Sequence, residues 1–310
     1  MATQTEAAVG PQIERRSGRR QRRGAVVRAL RPKQWTKNLI VFVGAVFALR
    51  LTDTGAMFTA LAAFAVYCLL SSAGYLVNDV LDAEADRQHP LKRWRPVAAG
   101  ALSARFAVGL AVALVALALV LAATIGPGFL AIAVAYMALS ALYSLVLKHL
   151  VLVDLFAIAA GFVLRVVAGA VAVGVRVSPW LYVCTILVAL FLGLAKRRQE
   201  LTTLEAAAGG HRRNLSEYTI DLVDQLTNIV TSATIMAYSL YTFSAPNLPR
   251  NDAMMITIPV VLYGIFRYLY LVRVKGLGGS PEDVLLADRT LLGTAAAWVV
   301  LCAAVLYLLR

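Results

Sequence analysis

Long apolar runs alternate with short polar connectors from residue 38 to the end of the chain. Each run is about 17–22 residues long, which is enough for an α-helix to cross a ~30 Å hydrocarbon core. Inside a bilayer the backbone polar groups must be satisfied within the protein, and helices do this. The pattern predicts an all-α polytopic membrane protein of about nine spans, at residues 38–54, 56–77, 103–123, 129–146, 151–172, 180–195, 223–244, 253–272 and 291–309.

The start of the chain lacks this periodicity. Residues 1–27 contain a cluster of arginines, which are Arg15, Arg16, Arg19, Arg20, Arg22 and Arg23. A polar basic stretch of this kind is typical of a disordered segment near anionic lipid. We therefore predict a disordered cytoplasmic arm at residues 1–27 and a single transmembrane domain at residues 28–310.

Composition and charge fit a membrane protein. The 310 residues are 60% hydrophobic and 15% charged, which excludes an ordinary soluble domain. A net charge of +13 can indicate a nucleic-acid partner, but here the basic residues lie in short loops beside the spans. With the N-terminus inside, 23 Lys and Arg residues fall on the cytoplasmic side and 4 outside. We therefore predict no nucleic-acid partner and a plasma-membrane protein with a cytoplasmic N-terminus and an external C-terminus.

An acidic motif, Asn78 to Asp86, follows the second predicted span. On one continuous helix, Asp79, Asp82 and Asp86 would share an arc of roughly 60°, with Asn78 at its border. Like charges so close together repel, and a divalent cation shared with an anionic ligand would relieve this. Mg²⁺ prefers such oxygen ligands together with phosphate. We predict Asp79, Asp82 and Asp86 as metal ligands; a solvated acidic helix end is the alternative.

Basic and polar residues near the predicted cytoplasmic ends of the spans are candidates for phosphate binding. Lys37 and Asn38 begin the first span, although Lys37 is equally suited to reach lipid headgroups. Arg165 lies inside the fifth span, where an arginine is a functional candidate by default. Asp154 is compatible with metal binding, with an ion pair to Lys148 or with a helix N-terminus. We predict substrate contacts from Lys37, Asn38, Asn78, Arg87, Lys92, Arg93, Tyr143, Lys148, Arg165, Lys196, Arg197 and Arg198. His89 either joins these contacts or only shapes the turn before Pro90.

Several short motifs, taken together, resemble the UbiA superfamily of intramembrane prenyltransferases. They are Arg31-Pro32-x-Gln34-Trp35-x-Lys37-Asn38, Tyr75-Leu76-Val77-Asn78-Asp79, the run from Asp86 to Pro96, Leu147-Lys148-His149, Lys196-Arg197 and Pro281-Glu282-Asp283. The resemblance covers residues 28–310. It implies a UbiA-like helical bundle whose cytosol-facing cavity binds Mg²⁺ and a diphosphate at the acidic motif.

Within that superfamily the chain is most similar to the phosphoribosyltransferase branch of actinobacterial cell-wall synthesis. This resemblance implies transfer from 5-phosphoribosyl 1-diphosphate to decaprenyl phosphate, with Asp79, Asp82 and Lys37 at the reacting groups. Other superfamily members carry a second acidic motif after the sixth helix. This chain has Lys196, Arg197 and Arg198 there, which favours a phosphate over a second metal.

Two other functions remain compatible with the sequence. One is a conventional prenyltransferase with a prenyl diphosphate donor, which the missing second acidic motif disfavours. The other is a non-enzymatic transporter or anion-binding protein, which the concentration of polar residues on one side disfavours. Homo-oligomerisation is a further expectation.

Overall fold

The computed structural model describes residues 24–47, 49–88, 92–206, 217–245, 248–249, 251–277 and 281–308. Within these ranges all regular secondary structure is helical, which confirms the predicted class. A short helix, α1, covers residues 24–30. It includes residues 24–27, which the sequence pattern assigned to the disordered arm. Residues 1–23 lie outside the described part, so the arm stays a prediction there.

The remaining helices follow in chain order. The α-helices are α2 (Val43–Phe47), α3 (Thr54–Leu81), α4 (Ala83–Gln88), α5 (Ala104–Ile125), α6 (Pro127–Leu145), α7 (Val153–Ala172), α8 (Pro179–Ala206), α9 (Ile220–Ser244), α10 (Ile258–Arg273), α11 (Pro281–Ala287) and α12 (Arg289–Leu308). Short 3₁₀ helices cover Pro32–Phe42, Lys92–Trp94, Leu147–His149 and Ala253–Thr257.

Seven of the described helices are long and apolar enough to cross a membrane. They are α3, α5, α6, α7, α8, the stretch Ala253–Arg273 that contains α10, and α12. The chain is therefore a multi-pass membrane protein, as predicted, but the exact count of nine is not confirmed.

Two predicted spans account for the difference. The first, at residues 38–54, is an irregular segment made of the 3₁₀ helix Pro32–Phe42 and the five-residue helix α2. The other, at residues 223–244, is the 25-residue helix α9. This helix is too polar for a typical span, because it carries buried threonines along its length, namely Thr227, Thr231, Thr234 and Thr242.

Local signals set several helix boundaries. Gly126 has a φ of 149° and Pro127 is the first residue of α6, so the predicted Gly-Pro break separates α5 from α6. The Thr219 hydroxyl accepts a hydrogen bond from the Leu222 amide (3.2 Å) at the start of α9. A carboxylate oxygen of Asp288 likewise accepts one from the Leu291 amide (2.7 Å) at the start of α12.

The chain forms two compact units. Unit one comprises Met1–Thr36 and Ala65–Leu121. Its core is built from small side chains, including Ala25, Ala29 and Ala73. Small residues let α1 lie close to α3, where Ser72 Oγ donates to the Leu30 carbonyl (2.9 Å). Trp35 Nε1 donates to Ser72 Oγ (3.0 Å), so α1 and the start of the irregular segment are fixed beside α3.

Unit two comprises Lys37–Phe64 and Ala122–Arg310. In this unit α7, α8 and α9 pack in sequence through a buried cluster that includes Leu155, Leu194 and Val223. A second cluster joins α8 to α10, α11 and α12 through Phe191, Tyr268 and Val284. These contacts hold the predicted basic residues of α8 in a rigid framework.

Residues 37–47 of the irregular segment lie against α7 without intervening side chains. A Cβ added at Gly169 would collide with the Val41 carbonyl, and one added at Gly44 would lie 2.9 Å from Ala170 Cα. Non-α backbone at membrane depth is tolerated only where protein covers it. Gly44 and Gly169 allow α7 to pack directly against the backbone of this segment.

We expect Gly169→Ala to destabilise the protein by about 1–3 kcal/mol, because the added methyl overpacks a backbone contact. Gly109→Ala in α5 is the matched control. No atom lies within 4 Å of a Cβ at that position, so the control should gain about 0.4–1 kcal/mol. Thermal unfolding in detergent measures both; equal melting temperatures for the two variants would contradict the close approach.

Candidate functional site

The acidic motif lies where α3 ends and α4 begins. Helix α3 ends at Leu81 and α4 starts at Ala83, so Asp82 occupies a turn between them. The Asp82 amide still donates to the Asn78 carbonyl (2.9 Å), and the Asp86 amide donates to the Asp82 carbonyl (2.8 Å). The predicted succession of carboxylates is retained, although the helix that carries them is interrupted.

Two arginines neutralise the buried carboxylates of this motif. Asp79 and Asp86 are 1% and 3% exposed. Arg95 Nη1 donates to Asp86 Oδ2 at 2.6 Å and lies 3.4 Å from Asp79 Oδ1. Arg31 also donates to Asp79 and stacks over the ring of Tyr75. A carboxylate leaves water only with such partners. In the sequence, Arg95 belongs to the basic run that follows the acidic motif, but neither of these ion pairs was predicted.

Two oxygens of the motif are left without hydrogen bonds from the described residues. These are Asn78 Oδ1 and Asp79 Oδ2, and both are buried. Amide and carboxylate oxygens are suitable ligands for Mg²⁺, so these atoms fit a divalent cation. In the described part of the chain no three His, Cys, Asp or Glu side chains gather as a metal cluster. The set Asp79, Asp82 and Asp86 therefore stays a prediction.

The basic residues that follow the motif are largely at the surface. Arg87 donates to Glu84 (2.6 Å) and to the Ala98 carbonyl (3.4 Å). Lys92 and Arg93 lie in an exposed 3₁₀ turn, where Arg93 stacks on Trp94, whose side chain is 70% exposed. Residue His89 lies outside the described ranges. Arg87 is thus held by protein acceptors, whereas Arg93 is exposed to solvent or lipid.

In unit two, Arg165 is buried in α7 and bonded to Asn38. Its Nε donates to Asn38 Oδ1 (2.8 Å), and its other nitrogens donate to the Gly161 carbonyl (3.0 Å) and the Tyr136 hydroxyl (2.6 Å). Asn38 is 0% exposed. Both residues were predicted to contact substrate; the structure shows them bonded to each other, and their contact with substrate stays a prediction.

A buried polar network surrounds Asp154 at the start of α7. One carboxylate oxygen accepts from Arg197, and the other accepts from the Tyr218 hydroxyl (3.0 Å). The same hydroxyl accepts from the Leu152 amide (2.7 Å). Leu152 itself has a φ of 65°. Burial raises the pKa of Tyr218 to about 12, so the phenol stays protonated and donates at neutral pH. Asp154 lies in the first turn of α7, as one alternative expected, and its carboxylate pairs with Arg197, whereas the sequence had suggested Lys148 as the partner.

The three consecutive basic residues in the C-terminal half of α8 have different surroundings. Lys196 is exposed and lies 3.9 Å from Glu200. Arg197 is buried and also donates to Glu200 (2.6 Å). Arg198 donates to Asp224 of α9 (2.8 Å). Consecutive helical positions point about 100° apart, so a run that is continuous in sequence is divided among three environments.

Lys148 and Tyr143 flank the turn between α6 and α7. Lys148 is buried in the 3₁₀ helix Leu147–His149, and Tyr143 is half-buried near the end of α6. Lysine is rarely buried without a partner. Its position supports an interaction role, and the assignment to substrate stays a prediction.

The connector between α10 and α12 is tied to both helices. Arg267 Nη2 donates to Asp288 Oδ2 (2.7 Å), and burial of Val284 fixes α11 against α8. The Arg267 contact holds the pKa of the Asp288 carboxyl below its usual range. Residues 278–280 lie outside the described part. The connector is thus anchored beside Ala195 of α8.

Unit two also contains a large apolar cavity. Its volume is about 450 Å³. Side chains from the irregular segment, α7, α8, α9, α10 and α12 line it, among them Phe47, Phe162, Trp180, Leu192, Tyr241 and Trp298. Sequence reasoning did not find this cavity, because its walls come from distant parts of the chain.

These features define a class: a multi-pass helical membrane protein that carries a buried acidic motif, a basic helix end and an apolar cavity. The UbiA prenyltransferase family model matches residues 38–278. The chain belongs to the UbiA prenyltransferase family.

Similar proteins agree with this assignment. A decaprenyl-phosphate phosphoribosyltransferase of Corynebacterium glutamicum is 36% identical over 279 residues, which is 88% of this chain and 84% of the relative. One of Mycobacterium tuberculosis is 34% identical over 278 residues, covering 88% and 91%. The solved structure of a UbiA homolog from Archaeoglobus fulgidus bound to GPP and Mg²⁺ has a TM-score of 0.71 at 18% identity, covering 91% of this chain and 99% of that one.

We expect Asp154→Ala to destabilise the protein by about 3–5 kcal/mol, because it leaves the Arg197 charge buried beside an empty position. The control is Glu84→Ala, which breaks the exposed pair with Arg87 and should cost about 0–1 kcal/mol. Chemical unfolding in detergent measures both. If Asp154→Ala unfolds like the control, Arg197 does not depend on this carboxylate.

Proposed function

We propose that the chain transfers the 5-phosphoribosyl group of 5-phosphoribosyl 1-diphosphate to decaprenyl phosphate. The product is decaprenylphosphoryl 5-phosphoribose, a precursor for cell-wall arabinan. The observation that carries the proposal is similarity to proteins named decaprenyl-phosphate phosphoribosyltransferase, which are 31–36% identical over at least 88% of the chain. The acidic and basic groups described above are compatible with two phosphorylated substrates.

The reaction forms a bond between a lipid phosphate oxygen and C1 of the ribose, and breaks the bond between C1 and the diphosphate. The lipid phosphate is already anionic at pH 7, so the attack needs no general base. Positive charge develops at C1 and negative charge on the departing diphosphate. The protein therefore acts mainly by orienting the substrates and by stabilising charge.

The acidic motif is the proposed binding place for a divalent cation. The unpaired oxygens of Asn78 and Asp79 support this, with Asp82 in the adjoining turn. Bound Mg²⁺ would neutralise charge on the leaving diphosphate. Arg31 and Arg95 are the charge partners that the protein itself gives Asp79, and Arg95 also pairs with Asp86.

The basic residues in the C-terminal half of α8 are the proposed binding place for the 5-phosphate of the donor. Lys196 is exposed there and is therefore the principal candidate. Arg197 uses both terminal nitrogens on Asp154 and Glu200, but its buried Nε donates to no partner within the described residues. Arg198 is bonded to Asp224, and so its proposed contribution is smaller.

The apolar cavity of unit two is the proposed place for part of the acceptor chain. A cavity of ~150 Å³ holds one benzene ring. By that measure a volume of 450 Å³ holds about 18 carbon atoms, or about three to four isoprene units. The rest of a ten-unit chain would lie in the bilayer.

We also propose that the catalytic face is cytoplasmic, with the N-terminus inside and the C-terminus outside. The excess of basic residues in alternate connectors supports this orientation. Both proposed substrates are then accessible: the donor from the cytosol and the acceptor from the plasma membrane.

The proposed metal site gives the first functional prediction. Asp79→Asn and Asp82→Asn should each abolish Mg²⁺-dependent diphosphate release, because they remove a carboxylate from the site. Glu84→Gln is the matched control, since Glu84 is exposed on the adjacent helix and pairs only weakly with Arg87. Circular dichroism monitors folding. If both Asn variants release diphosphate at a near-normal rate, the acidic motif is not the metal site.

The second functional prediction concerns the donor. Lys196→Ala should raise the Michaelis constant for 5-phosphoribosyl 1-diphosphate by roughly 10- to 150-fold, the worth of a charge-assisted phosphate contact of about 1.5–3 kcal/mol. Gln199→Ala, on the same helix end, should leave it near the wild-type value. The assay compares labelled phosphoribosyl diphosphate with a labelled prenyl diphosphate plus an aromatic acceptor. Transfer from the second donor alone would favour a conventional prenyltransferase.

A further inference from the structure

Arg165 carries a charge inside a membrane-spanning helix. Its side chain is only 7% exposed. Among the described residues its hydrogen-bond acceptors are all neutral: the Asn38 amide oxygen, the Gly161 carbonyl and the Tyr136 hydroxyl. The guanidinium also lies over the rings of Tyr136 and Phe162, at 4.7 and 5.3 Å. It is hydrogen-bonded and stacked, but no described carboxylate pairs with it.

Stability alone is a poor reason for such a residue. A buried charge has to be removed from water, and apolar replacements of similar volume are often neutral or stabilising. The planar fork of arginine, however, fixes several acceptors in one geometry. The arrangement therefore indicates that Arg165 orients what it touches.

Among its partners, Asn38 belongs to an unusual piece of backbone. It lies in a 3₁₀ helix of eleven residues, whereas runs longer than three or four residues are uncommon. Its side chain is fully buried, so the bond to Arg165 is an internal anchor. Lys37, the residue before it, is only half-buried.

The same face of α7 also contacts the irregular segment at another position along the helix. Gly161, Arg165 and Gly169 are spaced at i, i+4 and i+8, so they form one stripe along the helix. Gly161 offers both a carbonyl and space to the guanidinium, and Gly169 meets the Val41 carbonyl. In this stripe Arg165 contributes the side-chain hydrogen bonds, whereas Gly169 allows the backbone of the irregular segment to lie directly against α7.

We propose that Arg165 is a positioning residue that acts through Asn38 to hold Lys37 in place for a substrate phosphate. The proposal rests on the function proposed above, because Lys37 is there a phosphate contact. It assigns no substrate contact to Arg165 itself. The orientation of the Lys37 backbone depends on the planar guanidinium of Arg165. A positive charge of another shape would not maintain that orientation.

Kinetics with purified protein test the proposal. Arg165→Met should still fold, with a lower melting temperature because the buried Asn38 amide oxygen loses the Arg165 donor, and it should lower kcat on the order of 100-fold, the cost of a misplacement of about 1 Å. The Michaelis constant for decaprenyl phosphate should stay unchanged. Arg165→Lys keeps the charge without the fork, so it should fail to restore turnover. Val166→Ala, at a buried position on the same helix, controls for general loss of packing and should keep kcat.

The partner variant separates positioning from folding. Arg165→Met combined with Asn38→Leu leaves neither group unpaired, so it should be at least as stable as the single variant. Its turnover should be no lower than that of Arg165→Met, because both changes break the same contact. Multiplying defects in the double variant would overturn the proposal, as would full activity in Arg165→Lys.

A readout without turnover distinguishes this proposal from the proposed function. Lys37→Cys is placed in a background where Cys68, Cys184 and Cys302 are serine, and its alkylation by a charged maleimide is timed. Adding Arg165→Met should change that rate at least about tenfold, whereas Val166→Ala should not. An unchanged rate would overturn the positioning of Lys37. A wild-type protein that transfers no phosphoribosyl group would instead overturn the proposed function.

Discussion

The cost of removing charge from water governs this structure. Asp79, Asp154 and Arg165 are each at most 7% exposed, and a charge in such a place persists only with partners that replace its hydration. Two solutions occur. The aspartates receive arginines, whereas Arg165 receives neutral acceptors and aromatic faces. Each solution ties together pieces of chain that are far apart in sequence.

This constraint also shapes how the proposed substrates would bind. The charged side chains at these sites are already paired with one another. An anionic substrate would therefore replace an existing ion pair when it binds. Arg95 shares two carboxylates, and Arg197 shares two others. A bound cation or phosphate has to compete with those contacts. Lys196, which lies 3.9 Å from Glu200, is more exposed than Arg95 or Arg197 and is therefore the more accessible cation.

The sequence predicted what depends on local order. The helical class, most span positions and the acidic motif follow from apolar run length and charge spacing, which need no tertiary information. The pairing of Asp79 with Arg31, or of Asp154 with Arg197, depends on where the chain folds back. The 3₁₀ segment was predicted as a regular span because its composition is apolar; the glycines of α7 that receive it lie more than a hundred residues away. The cavity was missed for the same reason.

The length of α8 links the site to the thickness of the membrane. Its 28 residues extend about 42 Å at 1.5 Å per residue, against a hydrocarbon core of ~30 Å. Lys196 is the eighteenth residue of α8 and lies about 26 Å along it, so ten more residues extend beyond Lys196. A helix longer than the hydrocarbon core tilts, and it tilts more as the bilayer becomes thinner. Because α9 is bonded to α8 through Arg198 and Asp224, α9 tilts with it. The depth of Lys196 in the membrane, and with it the proposed meeting place of a soluble donor and a lipid-borne acceptor, is then a property of the bilayer as well as of the protein.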